Sequence, residues 1–197
     1  IVLGVMPALS MKTALRAATF SLRKLPTEEN PPVLSPYFLE AVEAVSAYNA
    51  TSNGSALSAL LPEDTTLLPI YTKNKDATED LSSRMFKRSV LTDITEHRVV
   101  AEKSVVREAF VMKQSVLVVA PARAECERLY KELKHGIGDR TILLASGIGK
   151  KRITDALEIL SQTKHPVLVV ATPAFAHIAR EDLGIIILES ARSSGYK

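Results

Sequence analysis

From Ser115 onward, short apolar runs rich in β-branched residues alternate with segments whose apolar residues recur at helical spacing. The runs are residues 115–120, 141–145, 167–171 and 184–189. Each is apolar throughout rather than alternating, the pattern of strands covered on both faces of a parallel sheet. Residues 122–134 and 150–162 predict helices between them, and residues 174–179 a short helical segment. Right-handed crossovers then give a doubly wound α/β sheet whose ligand edge lies at the C-terminal ends of the strands. That edge is expected at residues 120–123, 145–149, 171–174 and 189–192.

Upstream the pattern is more varied. Phe20 and Leu22 alternate with Thr19, Ser21 and Arg23, which predicts a half-buried strand over residues 17–25. The proline-rich stretch 26–32 breaks it and marks a connection. Ser35 suits a helix N-cap and Pro36 the first helical position, with Phe38, Leu39, Val42 and Val45 recurring at three- and four-residue spacing through Tyr48. Asn53-Gly54 predicts a turn into a short apolar segment, residues 56–61, closed by Pro62. Residues 63–95 read as a linker with partial helix. A helix is expected over residues 96–112, with Val99, Val100, Lys103, Val106, Ala109 and Phe110 along one side.

A chain of 197 residues, 46% hydrophobic and 24% charged, buries a real core as one domain plus an appendage. Its longest apolar stretches, residues 116–121 and 167–170, fall far short of the ~20 residues of a membrane-spanning helix, so no membrane role is expected. The start at Ile1 shows no basic leader and no initiator Met, and the chain reads as a fragment. A single cysteine, Cys126, excludes a disulfide framework and a multi-cysteine zinc site within these residues and fits a reducing cytoplasm. The net charge of +3 permits contact with nucleic acid. The local clusters Lys12/Arg16/Arg23/Lys24, Arg84/Lys87/Arg88 and Lys150/Lys151/Arg152 read equally as solvated faces. His97, His135, His165 and His177 are scattered without metal spacing and are expected at the surface, so no metal site is expected. Cys126, between Glu125 and Glu127, sits in an acidic setting that disfavours a thiolate and reads as a packing residue. Ser193-Ser194-Gly195 lacks the pattern and paired base of a serine nucleophile.

The closing segment Leu183-Gly-Ile-Ile-Ile-Leu-Glu-Ser-Ala-Arg-Ser-Ser-Gly-Tyr-Lys197 resembles the primosomal protein N′ (PriA) replication-restart helicase family. That family runs from a Leu-Gly strand through Asp-Glu-Glu-His to Ser-Ser-Tyr-Lys. Val116-Leu-Val-Val-Ala-Pro121 and Ala171-Thr-Pro-Ala174 are similar to further segments of its motor lobe, and residues 32–62 to the end of its DNA-binding domain. The resemblance implies the end of an N-terminal 3′-DNA-binding domain over 1–62, a linker over 63–95 and a partial RecA-like helicase lobe over 96–197. It further implies a bacterial cytoplasm, and forked or single-stranded DNA and replication-restart proteins as partners, with ATP and magnesium in the family though none expected in this fragment.

Two departures change what the resemblance implies. A phosphate-binding loop needs glycines and a Gly-Lys-Ser/Thr ending, and the nearest remnant is Lys103-Ser104 without glycines before it. Gly147-Ile148-Gly149-Lys150 follows the second strand and reads as a helix-start turn. Glu189, Ser190, Ala191 and Arg192 stand in the acidic motif, where Ser190 cannot serve as a base at neutral pH. The resemblance thus implies a DNA-binding protein whose motor lobe does not hydrolyse ATP and has no catalytic residues, with Arg123, Lys150, Lys151, Arg152 and Thr172 on the DNA backbone. The alternatives are an active 3′-5′ helicase with an atypical phosphate loop at Lys103-Ser104, and an unrelated α/β small-molecule enzyme with a polar pocket around Ser146, Thr172 and Glu189.

Overall fold

The computed structural model describes residues 34, 36–61, 87–92, 94–178 and 180–196. Helices α1 (Pro36–Tyr48) and α2 (Asn53–Leu60) form an N-terminal pair. Then follow α3 (Thr95–Val111), β1 (Ser115–Val119), α4 (Arg123–Leu133), β2 (Thr141–Leu144), α5 (Lys150–Gln162), β3 (Leu168–Ala171) and β4 (Leu183–Leu188). All pairings are parallel and the strand order is β2-β3-β1-β4. The alternation of apolar runs and helices therefore produces the α/β sheet that the periodicity predicts. The expected strand at 17–25, the connection at 26–32, the Ser35 cap, the Lys12–Lys24 cluster, Arg84 and residues 63–86 of the linker lie outside the described residues.

β1 is buried at every position, flanked by β3 on one side and β4 on the other. Its Val116–Val119 side chains join Leu129 and Leu133 of α4, Leu157 and Leu160 of α5 and the β3 residues in one core. Cys126 belongs to that core and is fully buried, as the packing reading requires; burial pushes its thiol up to about 11. β4 departs from expectation. Alternate positions Gly184, Ile186 and Leu188 face outward, with Ile186 47% and Leu188 58% exposed. An uninterrupted apolar run does not distinguish a strand covered on both faces from an edge strand whose second face is open.

The helices differ from expectation in detail. Asn53-Gly54 does not turn the chain ahead of a helix; it opens α2, capped by the Ser52 hydroxyl, which accepts from Ser55 N–H. Val42, Ala56, Leu57 and Leu61 make a small core of their own between α1 and α2. The pair leans on the sheet domain through Phe38, whose ring meets the edge of His177 at 5.5 Å. His177 is thus not a surface histidine: burial holds its imidazole down at about 4, so it is neutral at physiological pH. The helical segment expected at 174–179 shrinks to one 3₁₀ turn, Pro173–Phe175.

One polar node ties three strand beginnings together. Ser115 Oγ donates to Asp182 Oδ2 at 2.7 Å and accepts from Val167 N–H at 3.0 Å. Ser115 N–H also donates to the Asp182 carbonyl at 2.7 Å. Arg180 clamps the same carboxylate through Nε and Nη2 at 2.8 and 3.0 Å. Its Nη1 donates to Leu160 O at 2.8 Å and to Thr163 O at 3.3 Å, satisfying carbonyls at the C-terminal end of α5. Burial pushes the Asp182 carboxyl up, but the hydrogen bonds and charge of Arg180 and the Ser115 hydroxyl win, and it is held below its usual 3.8.

The expected outcome for Asp182→Asn is a loss of about 1–3 kcal/mol at neutral pH, read from urea denaturation. A depressed carboxylate stabilises the fold above its unfolded value and loses that contribution as pH falls through its folded value. The deficit of the variant relative to the parent therefore shrinks below about pH 4.

Candidate functional site

The ligand edge is built where β2, β3 and β1 end. After β2 the chain passes through Ala145, Ser146 and Gly147 before α5 begins at Lys150 behind the N-cap Gly149. Gly147 takes φ +82°, a conformation that strains any L side chain, and that lets the turn fold back. Ser146 N–H donates to Thr172 Oγ1 at 3.2 Å, joining the ends of β2 and β3, and the two hydroxyls lie 3.3 Å apart. From the first residue of α4, Arg123 Nη1 donates to Gly147 O at 2.7 Å, while its Nε pairs with Glu127 Oε1 at 2.7 Å. Arg123 and Glu127 hold each other, and the guanidinium lowers the Glu127 carboxyl.

The residues expected to grip a phosphate backbone therefore gather. Arg123 and Thr172 both fasten the turn that starts α5, and Lys150, Lys151 and Arg152 form its exposed first turn. Gly147–Lys150 is the helix-start turn that its glycines predict. The helix N-terminus, the glycine turn and three cations make this corner positive and rich in backbone donors.

The far side of the edge is different. Glu189 follows β4 and is 4% exposed, its Oε1 2.9 Å from Arg98 Nη2 of α3. Glu102, one turn along α3, is also 4% exposed and hydrogen-bonds Glu189. Tyr196 OH lies 2.6 Å from Glu189 O and 2.7 Å from Val119 O, two acceptors for its one proton, and Ser190, at φ +50°, donates to Glu125 Oε1 at 3.0 Å. Ser146 and Thr172 meet, but Glu189 does not join them: β1 stands between, and two strand spacings separate β3 from β4, about 10 Å. Ala191 and Arg192 are exposed beyond the strand.

Lys103 and Ser104 lie in the middle of α3, an unbroken 17-residue helix. Their backbone N–H groups belong to the helix ladder, so they form no phosphate loop, and the Ser104 hydroxyl donates to Glu108 within the helix at 3.4 Å. Half-buried Arg98 and buried Glu102 escaped the sequence reading because charge was assigned to the solvent side of α3. The stripe 99, 102, 106 and 109 carries the signal: Val106 and Ala109 are buried on it, whereas Val100 is 67% exposed. Among the described residues, no group of three or more His, Cys, Asp or Glu side chains could hold a metal ion.

The family model described as NAD-dependent glycerol-3-phosphate dehydrogenase N-terminus matches residues 45–194. No curated protein and no solved structure matches the chain. The family match overturns the replication-restart helicase expectation, and with it the DNA-binding function, the DNA and replication partners, and ATP and magnesium as the implied cofactors. Buried Glu189 behind Arg98 and the unbroken helix at Lys103-Ser104 are the physical counterparts of that correction.

NAD, which the family name carries, sets a demand on the turn after the first strand. A dinucleotide pyrophosphate rests on a glycine-rich turn between that strand and its helix, with an acidic residue after the second strand for the ribose. Here β1 leads through Ala120, Pro121 and Ala122 into Arg123. No glycine opens the turn, Pro121 has no N–H to donate, and no carboxylate follows β2 before α5. Asn53-Gly54, also inside the match, opens a helix that follows another helix rather than a strand. The order β2-β3-β1-β4 also sets β3 where the usual dinucleotide fold has β2 beside β1. The β1 turn does not fit the pyrophosphate. The match nonetheless spans three quarters of the chain and all four strands, and the chain belongs to the NAD-dependent glycerol-3-phosphate dehydrogenase N-terminal family.

Proposed function

We propose that this chain supplies the nucleotide-side lobe of a glycerol-3-phosphate dehydrogenase-type protein and takes the phosphate part of its ligand at the turn between β2 and α5. Family membership over the whole sheet carries the reading. It favours a dinucleotide-type lobe over a RecA-like one for this parallel α/β fold, with the lobe spanning residues 96–197 and the helical pair before it as an appendage with its own small core. Arg123, Lys150, Lys151, Arg152 and Thr172 are the contacts proposed for an anionic ligand.

What supports that corner is its chemistry. Three cations form the first turn of α5 and no acidic residue stands between β2 and that turn, which favours a phosphate over a free ribose hydroxyl. The Gly147 turn leaves the start of α5 accessible, and Arg123 and Thr172 hold it in shape. Redox chemistry on a substrate belongs to the whole protein and needs groups beyond those described. No helix among the described residues is long and apolar enough to cross a membrane, and a reducing cytoplasm is the setting proposed, which the single buried thiol of Cys126 supports.

Titration with NADH and NADPH, followed by the fluorescence of the reduced nicotinamide, tests the reading. The expected result is salt-sensitive binding, tighter for NADPH, that weakens about tenfold or more in the triple variant Lys150→Glu, Lys151→Glu, Arg152→Glu. Failure of both dinucleotides to bind, or a triple variant that binds as the parent does, overturns it. Gly147→Ala forces a side chain into the left-handed region and sets a Cβ 3.4 Å from Arg123 Nη1. Its expected effect is a loss of about 1 kcal/mol or more in stability by thermal denaturation, with weakened binding of the same ligand.

A further inference from the structure

We propose that the buried Glu102 carboxyl keeps its proton beside Glu189 and acts as a pH-sensitive latch between α3 and the ligand-side end of β4. The pair is 96% buried on both sides, since each residue is only 4% exposed. One cation, Arg98, makes an ion pair with Glu189 at 2.9 Å. One positive charge balances one carboxylate, and a second ionised carboxylate beside it in a buried site is opposed by both desolvation and repulsion. Glu102 Oε2 has no hydrogen-bond partner and no accessible surface, so an ionised Glu102 would leave a charged oxygen unsolvated.

Arg98 and Glu102 come from α3, Arg128 from α4 and Glu189 from the end of β4. Glu125 and Tyr196 flank the segment after β4, and burial and the surrounding carboxylates hold the Tyr196 hydroxyl in its neutral, donating form. Burial, the hydrogen bond to Glu189 and the Glu189 charge together raise Glu102 to about 8, against the pull of Arg98 and Arg128.

The consequence follows from linkage. The folded state holds a proton that the unfolded chain, with a glutamate near 4.5, gives up. Stability from the latch is complete below about pH 4.5, declines as pH rises, and is gone once folded Glu102 ionises near 8. What opens is the junction that carries Glu189, Ser190 and Tyr196, whose carbonyl and hydroxyl contacts close the end of β1.

Denaturation of the full chain from pH 5 to 9 tests the latch, together with hydrogen exchange of residues 188–196 at both ends of that range. The parent is expected to lose stability across the window and to open residues 188–196 about tenfold or more often at the alkaline end. Glu102→Gln, which keeps a hydrogen-bond donor and cannot ionise, is expected to flatten the dependence and to exceed the parent in melting temperature at pH 8.5. Glu125→Gln keeps the parental slope. A parental slope in Glu102→Gln overturns the proposal. If that variant does not fold, carboxyl carbon shifts of ¹³C-labelled parent decide: a glutamate titrating near pH 8 supports the latch, and all glutamates titrating below pH 6 overturn it.

Discussion

The fold depends on a constraint at the bottom of the sheet rather than at its ligand edge. Ser115, Asp182 and Arg180 bring the beginnings of β1, β3 and β4 to one point. A parallel sheet has no hairpins to fix its register, and each strand returns only after a crossover. Here β3 and β4 are laid on opposite sides of β1, so one hydroxyl and one carboxylate set the register of both neighbours. Arg180 adds the end of α5 to the same point, which joins the crossover helix to β3, one of the two strands it connects. With the lower ends fixed, the upper ends are free to carry a glycine turn at β2 and a buried ion pair at β4.

The layers were legible in the sequence because they follow from composition along the chain. β-Branched apolar runs at 115–120, 141–145 and 167–171 could hardly form anything but buried strands, and α5 falls on the residues its periodicity indicates. What was not legible depended on neighbours distant in sequence. The open face of β4 reflects what lies beside it, and its own Ile-rich run is silent on that point. Glu102 was assigned outward as a charged residue, yet it is buried because Arg98 and Glu189 meet it there. His177 likewise owes its low basicity to burial near Phe38, about 140 residues earlier in the chain.

The functional residues show the same division. Arg123, Thr172 and the Lys150–Arg152 cations could be placed at one corner from topology alone, since strand ends and helix starts converge there. The ligand they were first assigned could not, because a short motif framework is compatible with more than one use of a parallel sheet. Family membership redirects the reading from a replication-restart DNA-binding protein to an NAD-dependent dehydrogenase family. The turn after β1 stays at odds with a pyrophosphate cradle.

The central position of β1 has a kinetic meaning as well. Its backbone is paired on both sides, its side chains are all buried, and its far end is closed by the Tyr196 hydroxyl. Its amides that point to the β3 side, Val116 among them, stay covered when β4 alone opens. Their exchange with solvent therefore proceeds through unfolding of the whole sheet, whereas β4, paired only with β1, can fray separately. A single strand thus serves as the molecule's own gauge of global stability, with the neighbouring edge as a local one.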